Sequence, residues 1–333
     1  MTSTPPAPLR ERLAPRVTQH FPGFERHREL SARLGDRTRV YAFRDEDCRD
    51  WYRRFAADVL RAVDEHRYLP VYRMADGEFS FALGPPEEFL PWRRLGPRRA
   101  LKRVLATVTG RRGRHASGSP NYRVNETYSR DERQSLLRRY AADLAFIARH
   151  GYLALGLDDS PFFAPFHPFI ENWLDGAGVH LHAGNYVHFY AVYALLNGPD
   201  GDRLLRGRRV LVVNHLPPER RAVLDAALRA RGAADVRFLP ISRDKAMLET
   251  LDPGAVDGPV DLALVGAGVG AANVLRQLEP LGAPCIDAGF ALDLMAQPEM
   301  RWDRPYCVPD GEFDPERIRF LPADALRRLR SGA

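Results

Sequence analysis

Covalent cross-links, lysine and long apolar runs are all scarce in this chain. Its 333 residues hold three cysteines, Cys48, Cys285 and Cys307. Their odd number and wide spacing exclude a disulfide framework and offer no zinc-binding pattern. Such usage predicts a reducing, cytoplasmic setting. No stretch comes near the roughly 18 apolar residues that cross a bilayer, so no transmembrane segment is expected. The Pro-rich start lacks the apolar core of a signal peptide. Lysine occurs only at 102 and 245, the other basic residues are arginine, and the formal net charge is +6. This Arg-for-Lys bias accompanies GC-rich coding, so the basic balance says little about nucleic acid. No helix-turn-helix, zinc-finger or RNA-binding aromatic signature is present, and nucleic acid is not an expected partner.

What is present is a sequence able to build a large core. Hydrophobic residues make up 45% of it, with no low-complexity tract and no internal repeat. Residues 1–45, rich in Pro and Arg, read as an irregular extension that lies on the domain or frays. Residues 46–333 read as one domain. A helix is expected over 46–66, where Trp51, Phe55, Val59 and Val63 form a stripe, and a buried strand over 69–74. Ser129-x-x-Glu132 resembles a capping box opening a helix to His150. Strands are expected at 152–157, 179–183, 209–214, 236–241, 260–265 and 284–287. Helices are expected at 185–196, 217–231, 243–251, 271–281 and from about 291. Strands alternating with amphipathic helices predict an α/β fold: a doubly wound, mainly parallel, Rossmann-like sheet.

The stretch Arg73-Met74-Ala75-Asp76-Gly77-Glu78-Phe79 follows the first of these core strands. Read as a strand end, period-2 spacing points Asp76 and Glu78 the same way. Two hard carboxylates so placed hold Mg²⁺ or Mn²⁺ and leave positions for water and phosphate. Arg73 adds a fixed positive charge, and Gly77 lets a ligand approach the backbone. The plainer reading is an Asp-Gly turn beside a solvated Glu.

A second motif, Gly266-Ala-Gly268-Val-Gly270-Ala271, sits between a predicted strand and a helix, with Asp287 21 residues beyond Gly266. It fits the dinucleotide fingerprint, so an NAD(P)- or flavin-dependent oxidoreductase is the alternative function. Only about one strand follows it, whereas the fingerprint normally opens the nucleotide-binding unit. Two other readings stand: a tight turn that packs a helix on the sheet, or backbone N–H groups that hold a phosphate or sugar hydroxyl. Asp76, Gly266 and Asp287 all fall at strand carboxyl ends, where α/β sheets bind ligands.

Arg73-x-x-Asp76-Gly77-Glu78, followed late in the chain by Ile286-Asp287-Ala288-Gly289, resembles the GT-D fold glycosyltransferases. The likeness extends to Leu205–Val213 and Phe238-Leu239-Pro240. It implies a metal-dependent transferase with a nucleotide-sugar donor and an acceptor that is a glycan, peptide or small molecule. It assigns the metal to Asp76 and Glu78 and the site to Asp76, Glu78 and Asp287, with Asp293 a weaker match. Two departures stand out: Ala75 replaces a usual Gly, and Phe290 a usual His. In the chemistry so implied, Asp287 is the candidate base for the acceptor hydroxyl. Arg73, Gly77, Asn185, Gly266 and Gly268 are candidate donor-binding residues.

Residues 89–125 carry ten basic residues and no acidic one. This block reads as a binding surface for a pyrophosphate or an acidic acceptor, or as a solvated face with a lid loop. His180-x-His182 could chelate, but no third ligand is suitably spaced. Asp158-Asp159-Ser160 is a second acidic site or a cap. The aromatic residues Phe162, Phe163, Phe166, Phe169 and Trp173 are core or a sugar-stacking surface. Nothing fixes oligomeric state, and a homo-oligomer stays open.

Overall fold

The computed structural model describes residues 7–16, 21–24, 39–84, 97–108, 130–159 and 163–297. Ser129, Ser160, Phe162, Cys307 and the basic block outside 97–108 fall outside the described residues.

Seven parallel strands form the core sheet. They are β3 (Leu69–Met74), β4 (Tyr152–Leu155), β5 (Tyr186–His188), β6 (Arg209–Asn214), β7 (Asp235–Pro240), β8 (Leu262–Gly266) and β9 (Pro284–Asp287). Their order is β5-β4-β3-β9-β8-β6-β7. β3 and β9, the first and last core strands, are therefore neighbours at the centre. From β3 the chain winds outward through β4 to β5, while the remaining strands occupy the other half. The sheet thus reverses at the β3–β9 seam, the position where open α/β sheets form a ligand crevice beyond their carboxyl ends. Every residue of β3, β4, β8 and β9 is buried, as the unbroken apolar runs of a sheet covered on both faces require.

The helices follow the sequence pattern with shifted ends. α2 (Cys48–Asp64) buries Trp51, Phe55, Val59 and Val63. α5 (Arg130–His150) and α10 (Ala271–Gln277) pack on each other and on β3. α7 (Phe189–Asn197) packs on β3, β4 and α8 (Pro199–Leu205). α9 (Pro218–Ala230) follows β6, and α11 (Phe290–Met295) follows β9. The helix expected over 243–251 is only a 3₁₀ turn at Ala246–Leu248.

One expectation fails in the middle of the chain. The strand predicted at 179–183 becomes an irregular segment, and the helix predicted at 185–196 begins only at Phe189, after β5. Asn185 explains the shift. Its Nδ2 donates to Ala148 O (2.7 Å) and His180 O (3.0 Å), and its Oδ1 accepts from His182 N–H (2.8 Å). This side-chain clamp satisfies backbone groups that would otherwise need a ladder, and it starts the strand one residue later.

The described parts of the N-terminal extension lie on the domain. α1 (Leu9–Arg12) leads into β1 (Leu13–Arg16), which pairs antiparallel with β2 (Val40–Phe43). Leu9, Phe24, Val40 and Ala42 have no exposed surface. A large apolar side chain fully buried is worth about 1.5–3 kcal/mol, so these segments are integral to the core. Among the described residues no helix is long and apolar enough to cross a membrane.

Candidate functional site at the sheet reversal

The seam is built around Arg73, in the last turn of β3 and only 6% exposed. Its Nε donates to Asp287 O (2.7 Å), its backbone N–H to Asp287 Oδ2 (3.2 Å), and its Nη2 lies 3.6 Å from Asp287 Oδ1. The guanidinium carbon sits 4.9 Å from the Phe189 ring centre and 4.7 Å from that of Tyr193. Buried cation–π contacts of this kind are worth about 2 kcal/mol each. Gly289 completes the cage. It adopts φ +45°, and a Cβ there would come within 1.7 Å of Arg73 Nη2. Arg73 Nη1 remains buried without a hydrogen-bond partner. A charged donor fixed in place and left unsatisfied is suited to an incoming anion.

The acidic motif lies beside it, with altered geometry. Asp76 and Glu78 are not on a strand end: β3 stops at Met74, and both residues belong to the first turn of α3 (Asp76–Leu83). The extended Ala75 lets the chain turn into the helix, and Glu78, third in the helix, accepts from Ala75 N–H (3.0 Å). Residues two apart on a helix do not share a face. At a helix start, however, side chains lean toward the N-terminal end, as Glu78 does here. Gly77 and Glu78 are buried and Asp76 is half-buried. Desolvation, with the nearby charges of Asp287 and Asp76, pushes the Glu78 carboxyl up to about 8.

Burial likewise pushes the Asp287 carboxyl up to about 6, against the pull of Arg73. Asp287 is 3% exposed, and its one oxygen without a hydrogen bond, Oδ1, faces the Arg73 guanidinium. A base must present an oxygen to its acceptor, and this one is enclosed. Asp287 also anchors Arg73, through its backbone oxygen and its carboxylate.

Two glycines of the Gly-rich turn are closely packed by their neighbours. A Cβ on Gly266 would lie 2.1 Å from Asn214 Nδ2, and one on Gly270 would lie 2.5 Å from Ala246 Cβ. Both glycines are demanded by close packing. Only Gly268, left-handed at φ +53° and partly exposed, leaves its backbone accessible. Asn185, expected to meet the donor, instead precedes β5 at its amino end, away from the crevice, with its amide spent as described above.

Further polar groups lie on the carboxyl side, and of these Asn214, His215, Arg220 and Arg243 carry no signal in the sequence. Asn214 ends β6 next to Gly266, is 3% exposed, and has no partner for either amide atom. Asp293, on α11, is pushed up to about 6 by burial while Arg220, Arg243 and Arg73 pull it down. His215 is held low by burial and by Arg243 and Arg220. Three guanidiniums, on β3 and on the segments after β6 and β7, thus act electrostatically on one carboxylate. Further along the same edge, His188 and Asp158 are fully buried 3.4 Å apart, at the ends of β5 and β4. His188 Nδ1 accepts from Tyr190 N–H (3.3 Å), and Phe21 stacks on its ring. His180 and His182 are exposed, and no metal-holding group of three or more ligands occurs among the described residues.

Asn214 gives a prediction that separates binding from folding. An amide with neither atom paired costs stability where it sits. Asn214→Ala should therefore melt no lower than wild type by more than about 1 kcal/mol, while losing affinity for whatever the crevice binds. Thermal melts with and without ligand would check both halves.

No family model matches the chain, and no curated protein does. A search of solved structures finds one described as "The highly conserved domain of unknown function 1792 has a distinct glycosyltransferase fold". It is 13% identical over 84% of this chain and 96% of that one, with a TM-score of 0.40. A selenomethionine form of domain of unknown function 1792 matches at 13% identity and TM-score 0.37, covering 82% of this chain and 98% of that one. Similarity this slight transfers no residue role, and the site stands on its own geometry.

Proposed function

We propose that the chain is a glycosyltransferase that moves a sugar from a nucleotide-diphosphate donor to an acceptor hydroxyl. The observation that carries this reading is the caged, unsatisfied Arg73 at the sheet reversal, with Arg220 and Arg243 nearby and an acidic helix start beside it. Breaking a sugar–phosphate bond builds negative charge on the departing diphosphate. Arg73 cannot relax away from that charge, because Asp287 O, two aromatic rings and Gly289 hold it. Preorganised charge of this kind is the largest common source of catalysis. Asn214 offers an amide to a nucleoside or sugar group, and Asp287 keeps Arg73 aimed.

A divalent ion belongs to the same proposal. Carboxylate oxygens are the hard donors that Mg²⁺ and Mn²⁺ prefer, and one or two suffice when phosphates and water complete the shell. The carboxyls of Glu78, Asp76 and Asp287 lie close enough to oppose one another's ionisation, and an added cation would relieve that. Asp76 and Glu78 would hold it, and it would supply Lewis-acid stabilisation of the leaving diphosphate.

A thermal-shift panel of nucleotide sugars with Mn²⁺ tests the reading. A donor near a hundredfold above its dissociation constant should raise the melting temperature by about 5 °C. Stabilisation by NAD(P) or flavin, with none from any nucleotide sugar, would instead favour the oxidoreductase.

A further inference from the structure

Helix α4 (Pro97–Val108) leaves an apolar stripe uncovered. Leu101, Val104, Leu105 and Val108 are 60%, 44%, 52% and 78% exposed. Their i, i+3, i+4, i+7 spacing sets them on one side of the helix. The same helix sequence carries Arg98, Arg99, Lys102 and Arg103. The helix contains no acidic residue, and neither does the surrounding stretch 89–125. Ordinary surface helices turn such a stripe to the core, and contiguous exposed apolar surface marks a contact site.

We propose that α4 docks this chain on an anionic lipid surface, lying in the headgroup region with its Leu and Val side chains inserted. The charge decides the occupant. Four cations beside an apolar stripe, with no anion between them, is the composition of helices that lie in a membrane interface. A second copy would bring the same acid-free cationic helix against the first, and like charges oppose that pairing. Each Lys or Arg near an anionic surface strengthens binding about five-fold. The helix is too short and too charged to span, so it lies on the surface. This inference does not depend on the transferase reading.

The test is co-sedimentation of the full chain with vesicles of phosphatidylcholine alone or with about one-third phosphatidylglycerol. Binding is expected to the anionic vesicles, weak or absent on the zwitterionic ones, and reduced at high salt. Lys102→Gln with Arg103→Gln should weaken binding about 25-fold. Leu101→Asp with Val108→Asp should abolish it while leaving the melting temperature unchanged. The proposal is overturned if wild type ignores anionic vesicles, or if the Asp variant binds as well as wild type. It is also overturned if sedimentation equilibrium shows a wild-type dimer that the Asp variant loses, because a second copy would then be the occupant.

Discussion

Asp287→Ala is expected to lower the unfolding free energy by about 3–5 kcal/mol and to abolish sugar transfer. The reasoning starts from Arg73, whose side chain is 7% exposed and has Asp287 as its ion-pair partner. Removing that carboxylate leaves a buried guanidinium without a counter-charge, which costs far more than an exposed ion pair would. The bond from Arg73 Nε to Asp287 O survives the substitution, so the loss reports the counter-charge together with the bond from the Arg73 N–H to Oδ2. A second variant makes the interpretation decisive. Arg73→Met combined with Asp287→Leu replaces the pair with apolar groups, and such swaps are often neutral or stabilising. Urea unfolding should find the double variant near wild-type stability, while transfer stays absent. If Asp287→Ala alone melts like wild type, the buried pair has been misjudged.

Gly289→Ala should be damaging to both fold and site. Two effects add. An Ala at φ +45° costs about 1–2 kcal/mol. Its Cβ would also occupy the place of Arg73 Nη2 and approach Asp287 Oδ1 to 3.2 Å. The guanidinium has little room to retreat between Phe189 and Tyr193, so its buried hydrogen bonds are strained as well. The sum is about 3 kcal/mol, with loss of donor binding. Gly268→Ala provides the contrast. That glycine is also left-handed, but it is partly exposed and supports no such cage, so its cost should stay near 1–2 kcal/mol. Denaturation curves of the two variants would rank them.

The fold was legible in the sequence because its strands are buried on both faces. Continuous runs such as Leu211–Val213 and Leu262–Val265 can hardly be anything else, and their alternation with helices implied a parallel sheet. Strand order was not legible. The pairing of Arg73 with Asp287 spans 214 positions, and only the adjacency of β3 and β9 brings the two motifs together. Each motif was recognisable alone, so the convergence of Asp76 and Asp287 on one end of the sheet could be anticipated. Their roles could not. Whether Asp76-Gly-Glu78 continues a strand or opens a helix depends on where Ala75 turns the chain, and one residue decides it. Asn185 looked like a ligand because polar residues beside strands often are. Two of its three bonds are local, to His180 and His182, but the third reaches Ala148, 37 positions away and beyond the reach of local pattern. Asn214, Arg220 and Arg243 carry no motif at all and become visible only when the carboxyl ends of β6 and β7 are placed beside β3.

The most direct measurement is calorimetric titration of a UDP-sugar, chosen from the thermal-shift panel or replaced by the donor found there, with Mn²⁺ into wild type and Asp76→Ala. Asp76 is half-buried at a helix start, so its loss should leave the fold intact. Wild type should bind with an affinity that chelator removes, and Asp76→Ala should bind at least ten-fold more weakly, about 1.4 kcal/mol. Equal binding by the two proteins, or binding indifferent to the metal, would contradict the claim that this end of the sheet grips a donor diphosphate through its acidic helix start.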